Sequence, residues 1–227
     1  MKVNQPILIT GCPRSGAGII AGIVSLCGAC GGMMNKLYEN KEIKNRIVSP
    51  LLQLIKADTD GYYPLPYHYP VKNWSNDIHS AMIRQGVNLT KEWFYNDSRM
   101  LLLQDIFINS FPNAKWIVVV RDRESIIKGC MKNESMQVFK DTTILEALQL
   151  PDEQSGWGWL IDQYNILIYQ LRMKLGSNLI TIEPTALLNG DLTPLKTMLE
   201  WINLPFKETE INEFLKLKLR GYENNRK

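Results

Sequence analysis

Apolar residues fall along this chain in two rhythms. Three short runs are almost continuously apolar: Pro6-Ile7-Leu8-Ile9-Thr10, Trp116-Ile117-Val118-Val119-Val120 and Leu179-Ile180-Thr181-Ile182. Runs of this length, rich in β-branched residues and bounded by turn signals, predict strands. The unbroken run at 116–120 predicts a strand covered on both faces, as in a parallel sheet. Elsewhere the spacing is helical. Ile19 to Leu26 predicts a buried helix, and the series Trp157, Leu160, Ile161, Tyr164, Leu167, Ile168, Leu171, Leu175 predicts a long one that Gly176 ends. Met100–Phe111, Glu124–Asn133 and Thr193–Asn203 predict further helices. Leu37 to Ile55 fits one or two amphipathic helices, and Ser135–Ser155 a loop with a short helix. Strands alternating with helices give an α/β fold with a central, mainly parallel sheet flanked by helices.

One stretch follows neither rhythm. Tyr62, Tyr63, Tyr67 and Tyr69 are interleaved with Pro64, Pro66, Pro70 and His68. The prolines set an extended path, and the rings offer flat amphipathic surfaces. The segment reads either as an acceptor-binding wall or lid, or as an aromatic loop packed on the domain surface.

The first strand runs into Gly11-Cys12-Pro13-Arg14-Ser15-Gly16-Ala17-Gly18, which cannot continue it, and the buried helix follows. Such a loop aims backbone N–H groups at one point, and the helix N-terminus adds partial positive charge, so the unit suits a phosphate or sulfate. Gly11 and Gly16 match the two glycines of the nucleotide-binding pattern G-x-x-x-x-G-K-[ST]. Ala17 stands in place of its lysine and Gly18 in place of its metal-binding hydroxyl, so the usual equipment for Mg-ATP is missing. The alternative is a tight strand-to-helix turn with no ligand.

Pro13-Arg14-Ser15-Gly16-Ala17-Gly18 resembles the 5′-phosphosulfate loop of sulfotransferases, Pro-(Lys/Arg)-Ser-Gly-Thr-(Thr/Ser). The segment Phe111 to Asp122 is similar to that family's 3′-phosphate motif, in which a strand delivers an arginine, here Arg121. Trp93 to Arg99 resembles a Trp-Gly-aromatic-Lys-Asp-Pro-Arg-like stretch, with Asp97 and Arg99 kept and Asn96 in place of lysine. Glu183–Leu188 and Leu204-Pro205-Phe206 are similar to later family segments.

The resemblance implies a P-loop-like three-layer fold, the donor 3′-phosphoadenosine-5′-phosphosulfate (PAPS) and no catalytic metal. It places donor contacts at Cys12, Pro13, Arg14, Ser15, Gly16, Ala17, Gly18 and Arg121, with Ser125 and Gly129 on the helix after Arg121. Ala17 lacks the hydroxyl usual at that position, and Gly129 stands where relatives carry a serine that Ser125 or Lys128 partly replaces. Arg14 takes the role of offsetting charge on the bridging oxygen. Asp97 is the candidate base for the acceptor, or else pairs with Arg99 and caps the helix that follows. The only histidines, His68 and His79, are weaker candidates for the base, since neither sits in a recognisable motif. A basic tail from Lys216 offers Arg220-Gly221 either to the 3′-phosphate, as in some relatives, or to solvent.

Length and charge narrow the reading without changing it. The 227 residues fit one domain, 1–227, with 33–91 as a helical and aromatic insertion that forms part of the acceptor site. A formal net charge of +3 helps draw in a small polyanion but is too weak for nucleic acid. No segment spans a membrane or reads as a signal peptide, so a cytoplasmic location is expected. Four cysteines are few for a disulfide scaffold. The Cys27-Gly28-Ala29-Cys30 spacing is that of helix-end thiols or of a redox or metal pair. The expected activity is sulfuryl transfer from PAPS to a hydroxyl or amine of a small-molecule or glycan acceptor. A P-loop nucleotide kinase or a catalytically inactive nucleotide-binding protein of the same fold stand as alternatives.

Overall fold

A computed structural model describes residues 3–224, with residues 188 and 219–224 described by their backbone only. Strand β1 (Ile7–Gly11) leads through the glycine-rich loop into α1 (Ala17–Leu26). A helical run follows: α2 (Lys41–Ile43), a π-helical turn over Lys44–Val48, and α3 (Ser49–Leu54). The proline- and tyrosine-rich stretch has no regular structure and enters α4 (Ser75–Arg84). Then come β2 (Phe94–Asn96), α5 (Gln104–Ser110), β3 (Lys115–Val119) and α6 (Arg123–Met131). The chain ends with α7 (Thr142–Ala147), α8 (Glu153–Leu175), β4 (Leu179–Ile182), α9 (Pro184–Leu188), α10 (Thr193–Trp201) and α11 (Glu208–Asn224).

The strands lie in the order β2-β1-β3-β4, each pair parallel. Every strand alternates its side chains between two layers, as a pleated backbone requires. Ile7, Ile9, Ile117, Val119 and Ile182 pack with α1, α10 and α11, including Ile20, Ile23, Leu195 and Ile211. Leu8, Trp116 and Val118 face the other way, onto Phe107, Ile126, Trp157 and Leu160 of α5, α6 and α8. Both faces are therefore dry, which is why the runs in sequence are continuously apolar.

The crossovers fix where a ligand can bind. From β1 the chain moves to β2 on one side, and from β3 to β4 on the other. Neighbouring connections that leave in opposite directions open a crevice at the carboxyl ends of the two strands, and that is where ligands bind in open α/β sheets. Here the crevice lies between β1 and β3, the strands that carry the loop and Arg121.

Several elements depart from the sequence pattern. β2 is only three residues long, too short for an alternation to register. Met100–Leu103 is buried but forms a tight 3₁₀ turn and bend, so α5 begins only at Gln104. The expected basic tail from Lys216 is the second half of α11, whose Ile211 and Leu215 anchor it to α1. The Arg220 side chain and residues 225–227 lie outside what the structure describes. Among the described residues no helix is long and apolar enough to cross a membrane.

Gly11 ends β1 opposite Val119. A Cβ there would lie 2.3 Å from the Val119 carbonyl oxygen and 2.6 Å from Ser15 Oγ, so no side chain fits. Gly11→Ala must spread β1 from β3 and is expected to destabilise the fold by about 1–3 kcal/mol, the range of an overpacked core. Urea unfolding followed by tryptophan fluorescence measures this; an unchanged midpoint would show that the strand ends separate freely.

Candidate functional site

The loop between β1 and α1 is shaped by backbone conformation. Arg14 (φ 67°) and Gly16 (φ 99°) both adopt left-handed backbone, and Ser15 N–H closes a turn onto the Cys12 carbonyl at 3.0 Å. For glycine this is cheap; for arginine it costs about 1–2 kcal/mol. Alternating turns of this kind make a concave nest of N–H groups. Helix α1 then begins with no side-chain cap and no acidic residue in its first turn. Its free N–H groups and its dipole are left to whatever anion the loop holds. Ser15 is 1% exposed, and its hydroxyl has no hydrogen-bond partner in the protein.

The two segments that resemble donor motifs meet here. Arg121, half-buried at the end of β3, donates from Nη1 to the Arg14 carbonyl at 3.5 Å. Gly129 of α6 lies under the Arg14 side chain, where a Cβ would sit 3.4 Å from Nε. Asp122 caps α6 by accepting from Ser125 N–H at 2.8 Å, which fixes Ser125 in the first turn of the helix. The hydrogen bonds from Ser125 keep the Asp122 carboxyl below its ordinary range. Arg123 turns away to Asp162 of α8 at 3.4 Å. Among the described residues, Arg14, Lys36 and Arg121 form no ion pair.

A cavity of about 490 Å³ opens from this loop, lined by residues 12–19 and by five further segments. Asn35 to Glu39 form one wall, with Lys44, which opens the π-helical turn. Asp60 and Tyr62 extend that wall, so the region before residue 91 does supply part of the lining. Asn96 and Ser98 line the cavity from the end of β2, Asn133 and Ser135 from the loop after α6, and Lys218 from α11. The Lys218 ammonium lies over the Tyr38 and Phe214 rings at 5.3 and 5.4 Å.

Asp97 is not on this surface. It is 1% exposed and clamped by Arg99, with Nε to Oδ1 at 2.6 Å and Nη2 to Oδ2 at 2.7 Å. Tyr95 Oη donates to it at 2.5 Å, and the Arg99 backbone N–H at 2.9 Å. Burial works against the Arg99 charge, but the Asp97 carboxylate more than offsets it and keeps the guanidinium protonated. Burial, then Asp97, push the Tyr95 hydroxyl far above its ordinary range. Both oxygens are filled and Asp97 is not among the residues that line the cavity; the structure shows it as the partner of Arg99 and the cap of the 3₁₀ turn. The carboxylates that line the cavity are Glu39 and Asp60, and Glu39 is the more buried of the two. Asn35 Nδ2 donates to it at 2.8 Å, and Lys44 and Arg99 lie at 3.7 and 3.8 Å.

Sequence reasoning missed Glu39, Lys36, Lys44 and Lys218 because they belong to no motif. Only the Asx turn at Asn35, which accepts from Leu37 and Glu39 N–H, carried a local signal. Neither histidine reaches the cavity: His68 is on the exposed loop, and His79 lies between the Trp93 and Phe111 rings. Cys12 lines the loop, but burial raises its thiol well above the ordinary range, so it adds no negative charge beside an anion. Of the Cys27–Cys30 pair, Cys27 is buried and Cys30 exposed, both as free thiols.

The departures at 17 and 18 have a physical context. A Cβ on Gly18 would lie 3.0 Å from the Leu37 carbonyl oxygen, so the segment after α1 occupies the space that a metal-binding serine or threonine needs. The same carbonyl accepts from Asn96 Nδ2 at 3.0 Å.

No family model matches the sequence, and no curated protein matches it. Solved structures do match its fold. Sulfotransferase STF9 from Mycobacterium avium superposes with a TM-score of 0.53 over 97% of this chain and 69% of its own, at 11% identity. The sulfotransferase domain from the curacin biosynthetic pathway gives 0.55 over 91% and 77%, at 12% identity. Sulfotransferase STF1 from Mycobacterium tuberculosis H37Rv gives 0.52 over 95% and 71%, at 14% identity. The chain therefore has the α/β P-loop-like fold of these sulfotransferases.

Breaking the buried Asp97–Arg99 pair leaves one charge without its partner. Asp97→Ala is expected to cost about 3–5 kcal/mol, seen as a lower denaturation midpoint. A variant of native stability would reopen Asp97 as a reacting group.

Proposed function

We propose that this protein is a sulfotransferase that moves a sulfuryl group from PAPS to a hydroxyl or amine. One observation carries the reading: an uncapped, cation-bearing loop and a second arginine, Arg121, meet at the crevice where the connections after β1 and β3 leave in opposite directions. Two phosphate-recognising elements at one switch point suit a donor with phosphates at both its 5′ and 3′ positions. The orphaned Ser15 hydroxyl and the unpaired Arg14 fit an anion in the loop. Crowding of Gly18 by Leu37, together with Ala17, disfavours Mg-ATP and hence the kinase alternative.

In this reading the loop N–H groups and the α1 dipole hold the 5′-phosphosulfate, and Arg121 the 3′-phosphate. The acceptor oxygen or nitrogen attacks sulfur, and the S–O bond to the 5′-phosphate breaks. The electron pair stays on that phosphate oxygen, giving 3′-phosphoadenosine-5′-phosphate. Arg14 meets the charge that grows there, and Lys36 and Lys218 add positive potential to the same cavity. Glu39, fixed by Asn35, accepts the acceptor's proton. Holding both partners in line supplies much of the rate.

Calorimetric titration with 3′-phosphoadenosine-5′-phosphate, adenosine 5′-phosphate and Mg-ATP tests the donor site. The first ligand is expected to bind best, and Arg121→Ala to lose about 1.5–3 kcal/mol of that affinity. Preference for Mg-ATP, or no binding, overturns the assignment. Arg14→Ala is expected to abolish transfer with the fold intact, and full activity in that variant would sink its role. Glu39→Gln should lower kcat by about 10²–10⁴ at unchanged donor affinity; an unaltered kcat removes Glu39 as the base.

A further inference from the structure

Helix α8 is apolar on two opposite sides. Trp157, Leu160, Ile161, Tyr164, Ile168 and Leu171 form its buried side. Trp159, Asp162, Ile166, Tyr169 and Met173 follow one another at alternating steps of three and four residues, so they lie along one line of the helix, turned away from the core. Ile166 is 52% exposed, Tyr169 65% and Met173 71%. A surface helix ordinarily turns polar residues to this side. Single apolar residues on a surface need no explanation, whereas a contiguous line of them marks an interaction site. None of the five lines the cavity at the carboxyl edge of the sheet.

Alternating steps of three and four are the spacing of a helix–helix seam, in which side chains of one helix fit between those of another. The line is also polarised. Toward its amino-terminal end Asp162 pairs with Arg123 at 3.4 Å, and its side chain is still 56% exposed. At the carboxyl end Arg172 and Lys174 flank Met173. Lys174 reaches Asp105, but Arg172 donates to the Thr181 hydroxyl and has no ion pair among the described residues. Bulk is uneven as well. Trp159 begins the line, and Gly176, which ends the helix three residues past Met173, has no side chain. A cleft of about 470 Å³ opens beside Trp159 and Asp162.

We propose that α8 pairs with α8 of a second copy of this chain, antiparallel, about a two-fold axis between Ile166 and Tyr169. In that register Ile166 meets the partner's Tyr169. Asp162 meets the partner's Met173 and lies between the two cations that flank it. Trp159 meets the partner's Gly176, so the bulkiest residue of the line faces the smallest. The cleft beside Trp159 and Asp162 receives the Met173 end of the partner helix. A parallel pair would instead set Asp162 against Asp162 and Trp159 against Trp159, and facing like charges count against that arrangement. A polar residue inside an apolar seam fixes register and orientation in this way. A closed two-fold contact uses the same line on both copies and leaves neither exposed. Because the line shares no residue with the cavity, both sites stay open to ligands.

Analytical ultracentrifugation of the full chain over a range of concentrations tests this. The native chain is expected to sediment as a dimer that dissociates on dilution. Ile166→Glu and Tyr169→Glu, each present twice in a symmetric contact, should raise the dimer Kd about a hundredfold, as loss of a central anchor does. Both side chains face solvent in a single copy, so the circular dichroism and urea midpoint of these variants should match the native chain. Asp162→Arg should raise Kd about tenfold, and adding Arg172→Glu to it should recover most of that loss, the signature of two groups in contact. A monomer at every concentration overturns the proposal and assigns the line to a different partner. A dimer that neither Ile166→Glu nor Tyr169→Glu weakens overturns it too, since that dimer uses another face. If Arg172→Glu recovers nothing, the antiparallel register is wrong.

Discussion

The architecture depends on how closely β1 and β3 approach at their carboxyl ends. Gly11 meets the Val119 carbonyl at a distance no side chain permits. That contact brings the loop after β1 and Arg121 after β3 to the same few ångströms, with Arg121 bonded to the Arg14 carbonyl. It also fixes the start of α1, because Ser15 packs beneath Gly11 and Gly16 turns the chain into the helix. The dry layers on each face of the sheet supply the burial energy that holds this approach.

A second constraint is the buried Asp97–Arg99 pair. It looks expensive, because two charges are taken out of water. It is tolerated because nearly every polar atom is used: Asp97 accepts from Arg99 and Tyr95, and Arg99 Nη1 donates to the Thr59 carbonyl at 3.0 Å. This ties the end of β2 to the segment that carries Asp60 and Tyr62. Arg99 also lies 3.8 Å from Glu39. The pair thus supports the cavity wall from beneath, and the Glu39 carboxylate lies one layer further out, on the cavity surface.

The fold was legible because burial on both faces writes a continuous apolar run. The strands at 7–11, 115–119 and 179–182 and the long α8 helix stood out for that reason. The strand-to-helix loop was legible too, since turn chemistry is local: glycine, proline and serine at fixed spacing permit few conformations. β2 was not, because three residues carry no period and its pairing with β1 is a long-range choice. Nor was α11, whose polar tail residues conceal a helix held by Ile211 and Leu215 against α1.

The sequence by itself determined the alternation of strand and helix, the glycine-rich turn at residues 11–18 and the arrival of an arginine at the end of a buried strand. Each is a property of neighbours along the chain, where backbone sterics and hydrophobic period act. Tertiary structure alone decided that Arg121 reaches the Arg14 loop, that Asp97 is sealed inside while Glu39 lines the cavity, and that Asn96, Asp60, Tyr62 and Asn133 share one wall. Those outcomes depend on which surfaces of distant segments come to face each other once the apolar layers close. A carboxylate's accessibility and partners are set by that packing and not by the residues beside it.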